Sequence, residues 1–149
     1  MNKKFVLFIF CVLILSFSGG SVFSLESNST LNLTNMGFEI PDGYYEGSLN
    51  NLGAINITNG SSSIFILEYD DANAMKYVNH YKNEIINNKH QKMDLLTFTI
   101  DDVIVYEADI KNNPLKIHYW FVKDNKTYDV YTWDGNKDIY NFIEKMIQS

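Results

Sequence analysis

The sequence has 149 residues, twelve lysines against 18 acids, and a formal net charge of −6. That balance repels nucleic acid and anionic membrane surfaces, and with no arginine the chain has no planar fork to clamp a phosphate or carboxylate. Its single cysteine, Cys11, lies in an apolar N-terminal stretch, which leaves the rest of the chain without disulfide, thiol nucleophile or thiolate metal site.

Lys3 and Lys4 precede an uncharged run from Phe5 to Phe17, followed by small residues to Ser21 and by Val22-Phe23-Ser24. A basic start, a short apolar core and a small-x-small ending read as a secretory signal over residues 1–24, cleaved after Ser24. The alternative is a retained membrane anchor over residues 5–25, about the ~20 residues a span requires. Removing Lys3 and Lys4 with the signal takes the net charge from −6 to −8. Residues 25–35 are polar and aperiodic, and are expected to form a flexible linker. Residues 36–149 then make one domain, long enough for a core of its own.

Within that domain, Gly37–Ile40 reads as a short strand ended by Pro41, with Asp42-Gly43 as turn chemistry. Ala54–Thr58 alternates as a half-buried strand does. Asn59-Gly60 then reads as a hairpin turn. Ser63–Tyr69 is apolar on both faces, so a strand covered on both sides is expected. The period then changes: Ala74, Val78, Tyr81 and Ile85 fall on one helical stripe, with Asp70 and Asp71 as cap and first-turn acid and Asn87-Asn88 as its end. Two hairpins follow. Leu95–Ile100 and Val103–Ile110 meet at Asp101-Asp102, and Lys116–Val122 and Lys126–Trp133 meet around Asp124-Asn125. Ile139, Phe142, Ile143 and Met146 stripe a closing helix. The order β-β-β-α-β-β-β-β-α predicts an α+β domain, an antiparallel sheet of six or seven strands flanked by two helices.

No catalytic signature stands out. There is no G-x-S-x-G and no phosphate loop. His80, His90 and His118 lack metal-ligand spacing and read as surface or edge residues. Asp70-Asp71 and Asp101-Asp102 fit a helix start and a turn better than an acid/base pair. No metal or other cofactor is expected. Asn28, Asn32, Asn59 and Asn125 begin glycosylation sequons, with Asn125 best placed in a turn; Asn56 begins another, inside a strand. The stretch from Lys116 to Trp133 is dense in rings. Alternation sends Ile117, Tyr119 and Phe121 to one face and His118, Trp120 and Val122 to the other. Tyr128 and Val130 likewise oppose Asp129, Tyr131 and Trp133. The expectation is a central hairpin between the helices. The alternative is an exposed binding cluster of Tyr44, Tyr45, Trp120, Tyr131 and Trp133, of which Tyr44 and Tyr45 are the rings expected at the surface.

The opening GFEIPDGYYEG, the helix after the third strand, the YWFVKDNKTYDVYTW hairpin and the closing IYNFIEKMIQS helix resemble the PsbP-like superfamily. That group includes many exported bacterial and archaeal proteins of unknown function. The resemblance implies an antiparallel sheet between helices and a binding or scaffolding role; it assigns no site residue. Together these readings predict an exported, non-catalytic binding or accessory domain at the cell surface. Its partner would be a protein or cell-surface polymer, without nucleic acid, and with the membrane involved only through the N-terminal segment. A hydrolase using carboxylates assembled by the fold, and a structural envelope component, are the alternatives.

Overall fold

The computed structural model describes residues 33, 36–88, 91–110 and 116–149. The expected signal segment, sequons Asn28 and Asn32, and His90 lie outside the described residues. Seven strands form one antiparallel sheet: β1 (Tyr45–Glu46), β2 (Ile55–Thr58), β3 (Ser63–Tyr69), β4 (Met93–Ile100), β5 (Val103–Ile110), β6 (Ile117–Lys123) and β7 (Lys126–Thr132). Helix α1 (Ala74–Asn83) follows β3, and α2 (Ile139–Gln148) closes the chain. The order across the sheet is β1-β2-β3-β7-β6-β5-β4. This is the α+β arrangement that the sequence predicts.

The two expected hairpin turns set the register. Asp101 and Asp102 both have positive φ (45° and 66°), as do Asp124 and Asn125 (50° and 62°). A two-residue turn with both φ positive matches the twist of the strands it joins, and Asp and Asn tolerate that region better than most residues. The turns pin Ile100 opposite Val103 and Lys123 opposite Lys126, and every later pair on each hairpin follows.

Alternation then sorts the rings onto two faces. Tyr119, Phe121, Tyr128 and Val130 join Ile55, Ile57, Ile64 and Ile66 under α2, which contributes Phe142, Ile143 and Met146. Each such burial is worth about 1.5–3 kcal/mol. On the other face α1 sets Ala74 and Val78 against Ala108 and Trp120. Both predicted helix stripes therefore face the sheet, one on each side.

Three local expectations differ from the fold. Residues 38–40 form no strand; Phe38 instead turns inward, 5% exposed, edge-on to Tyr128 at 5.3 Å, and the first strand is Tyr45–Glu46. Leu33, expected in the linker, is fully buried in the same core, and its carbonyl accepts the N–H groups of Met36 and Phe38. The cap of α1 is Asn73, whose Oδ1 accepts the Lys76 N–H at 3.1 Å. Asp71 bonds the Lys76 ammonium (2.6 Å) and the Tyr77 hydroxyl (2.9 Å) instead.

Candidate functional site

Helix α1 lies over β6 and β5. Its ten residues do not reach across the whole sheet, so β7 and β3 continue past it on the same face. There Phe65, Leu67 and Tyr69 of β3 are only half-buried, a correction to the expectation that β3 is covered on both sides. The result is an open cleft of about 520 Å³ between α1 and the sheet, within the usual size of small-ligand sites. Its helix wall is Tyr77, His80, Tyr81 and Glu84; its floor is Leu67, Tyr69, His118, Trp120, Asp129 and Tyr131; Leu52, Lys116 and Trp133 complete the rim.

The floor is a ladder of parallel rings, because alternate residues along β6 and their opposite partners on β7 and β3 share one face of the sheet. Trp120 and His118 stack at 5.2 Å and 14°, His118 and Tyr131 at 4.6 Å and 13°, and Tyr131 and Phe65 at 5.1 Å and 15°. Tyr81 of α1 comes down on this ladder, 4.3 Å from His118 and 5.3 Å from Trp120. Tyr69 and Tyr77 stack at 3.8 Å beside it. Trp133 packs on Phe65 and Tyr131 but stays half-exposed at the rim.

At the centre, His118 Nδ1 lies 2.9 Å from Asp129 Oδ1, and both residues are buried. The contact follows from register. His118 stands opposite Tyr131 and Trp120 opposite Asp129, so His118 and Asp129 are diagonal neighbours on one face. With Nδ1–H donated to Asp129, a neutral His118 ring presents Nε2 as an acceptor. Among the described residues, that Nε2 and the Tyr81 hydroxyl are buried without a hydrogen-bond partner. Unpaired buried polar atoms each cost about 1–3 kcal/mol, and these two border the same cleft. Burial, and then the charge of Asp129, push the hydroxyls of Tyr69 and Tyr81 well above the ordinary tyrosine range. Burial also raises Tyr131, partly offset by a hydrogen bond from Asn50 to its hydroxyl, with Asp129 adding to the rise. The tyrosines stay neutral and polar at physiological pH.

The rim carries charge. Lys116 Nζ is 5.7 Å from the Tyr81 ring centre and 5.8 Å from that of Trp133. Glu84 stands where α1 changes to a wider π turn over Glu84–Asn88, a local distortion often found beside functional sites. Among the described residues no cluster of three or more metal-binding side chains forms.

Of the ring residues singled out from sequence, the fold brings Trp120, Tyr131 and Trp133 to this cleft. Trp120 and Tyr131 are 1% and 2% exposed and form the floor rather than an exposed cluster. Tyr44 and Tyr45 lie elsewhere. Tyr44, expected at the surface, is half-buried against the α2 core, and its hydroxyl donates to Asp138 at 2.9 Å. Tyr45 is exposed on edge strand β1. His118, expected at a surface or edge, is buried instead. Asn59 and Asn125 sit exposed in turns, although Asn59 Oδ1 is engaged by the N–H groups of Ser61 and Ser62. Asn56 lies in β2, its Oδ1 buried.

No protein-family model and no curated protein matches the chain. Among solved structures, the solution structure of cyanobacterial PsbP (CyanoP) from Synechocystis is similar over 74% of this chain and 80% of that one. The TM-score is 0.42 and the identity 6%. At that distance the likeness carries no conclusion about the cleft.

Proposed function

We propose that the chain is an exported, non-catalytic binding domain whose ring-lined cleft takes a small ligand. The observation that carries this reading is the cleft itself: a concave space of about 520 Å³ with aromatic walls and a few convergent polar groups, His118, Asp129 and the Tyr81 hydroxyl. Binding sites are built in this proportion. Two acids, Glu84 and Asp129, also line it, which is the one feature favouring a carboxylate hydrolase. Against that reading, Asp129 is engaged by His118. Export rests on the basic, apolar and small-residue order of residues 1–24. An intact mass of the native protein that begins near Leu25 supports it, and a chain still starting at Met1 replaces it with the anchor.

Both tryptophans of the chain, Trp120 and Trp133, line the cleft, so intrinsic fluorescence reports on it directly. In a screen of small ring-bearing, hydroxylated and charged compounds, ligands should change tryptophan emission in wild type. Their affinity should fall in Trp133→Ala, whose melting curve should remain cooperative. A screen without any such ligand counts against the binding reading.

A further inference from the structure

The chemistry of the cleft mouth identifies a ligand class, an inference that rests on the binding reading above. The Lys116 ammonium is held within reach of two π faces, 5.7 Å from Tyr81 and 5.8 Å from Trp133. A cation within about 6 Å of a ring centre is attracted by the ring quadrupole. One of these rings comes from the helix and the other from the sheet side, so the chain's own cation bridges the opening. The lining continues inward with further rings, Tyr69, Tyr77, Trp120 and Tyr131. The lining charges are Lys116, Glu84 and Asp129, with His80 and His118 as the titratable bases. Asp129 and Glu84 both act to raise the Tyr81 hydroxyl, and Asp129 that of Tyr69, so their negative field is felt across the cleft. With no arginine anywhere and two acids in the lining, an anionic ligand is disfavoured. The volume of about 520 Å³ is ample for a small organic molecule.

We propose that the cleft binds a small alkylammonium ligand, a tertiary or quaternary organic cation, between Tyr81 and Trp133, with Lys116 as the displaceable occupant of its mouth. A methylated ammonium suits the site because its weak hydration lowers the cost of leaving water, while the rings and the Asp129 and Glu84 carboxylates supply the counter-charge. Neutral ring compounds and sugars can use the same walls but gain nothing from the field.

Calorimetric titration of the purified protein with tetramethylammonium and choline chlorides, at matched ionic strength and beside neutral tert-butanol of similar size, tests this. The ammonium probes should bind at least roughly tenfold more tightly than tert-butanol. Trp133→Leu keeps an apolar side chain but removes the π face. It should weaken the ammonium probes by roughly tenfold while circular dichroism shows a folded domain. Lys116→Met should tighten them by removing the competing cation. Equal binding of tert-butanol, full affinity in Trp133→Leu, or unchanged or weaker binding in Lys116→Met overturns the inference. The two readings fail separately. Neutral ligands that bind in the cleft where the ammonium probes do not leave the binding domain standing and remove the cation. No cleft ligand of either kind removes both.

Discussion

Replacing the partners of the buried His118–Asp129 contact one at a time should cost more than replacing them together. His118→Phe keeps a ring in the stack between Trp120 and Tyr131 but takes away the donor that His118 Nδ1 gives Asp129 Oδ1. Asp129 is 5% exposed, so a nearly dry carboxylate loses its ring partner, at about 3–5 kcal/mol. Asp129→Leu leaves His118 with a second buried nitrogen unsatisfied, at about 1–3 kcal/mol. In the double variant both polar groups are gone and two apolar side chains fill the space, a replacement that is often neutral or stabilising. Urea unfolding of the four proteins, with midpoints and slopes fitted together, gives the coupling directly. The double variant should be more stable than His118→Phe alone. If the two costs simply add, the residues are energetically independent and the contact is not the organising pair of the cleft floor.

The core assignments predict that Phe142→Ala, which removes a ring 2% exposed under α2, lowers stability by about 3–5 kcal/mol. Val78→Asp, at a fully buried position of α1, should abolish cooperative unfolding, and wild-type urea midpoints for both would show that the helix faces are misassigned. Burial raises the Asp134 carboxyl, but hydrogen bonds from Thr132, the Ser63 N–H and Ser62 outweigh it and hold the group below the ordinary carboxylate range. Its contribution is therefore present above that range and lost as the pH falls through the lowered value. Asp134→Asn should consequently be less stable than wild type near neutral pH, with the gap closing in acid. Glu107 is shifted the other way, by burial and then by Asp109, so the folded state disfavours its charged form as pH rises. Glu107→Gln should exceed wild type in stability at neutral pH and match it in acid; thermal melts across pH read both signs.

Where short-range chemistry decides the structure, the sequence was a sufficient guide. Asp101-Asp102 and Asp124-Asn125 are turn residues between alternating strands, and the two-residue turns they make fixed the strand pairs. The Ala74-Val78 and Ile139-Phe142-Ile143-Met146 stripes carry the helical period, and both ended on the sheet. Legibility failed where the answer depends on which elements meet. Phe38 and Ile40 alternate like a strand, but Phe38 is consumed by a ring contact with Tyr128, 90 residues away in the chain. The pairing of His118 with Asp129 was latent in the hairpin: counting back from the Asp124-Asn125 turn puts them diagonally on one face. Local spacing of the histidines does not show it. Three of the cleft's rings, Trp120, Tyr131 and Trp133, are legible as a candidate cluster, but the concave space itself is not, because it depends on how α1 packs at Ala74, Val78 and Trp120.

The central claim, that the ring-lined space between α1 and the sheet is the binding site, is tested most directly by nuclear magnetic resonance. Trp120 and Trp133 are the only tryptophans, and both line the cleft, so a two-dimensional spectrum of indole N–H groups contains one signal from the floor and one from the rim. A ligand should shift the Trp133 signal strongly and the Trp120 signal measurably, together with backbone amides of α1 near Tyr81. A ligand that binds with saturable affinity, moves amides of the β4–β5 hairpin or β1, and leaves both indole signals in place would contradict the account.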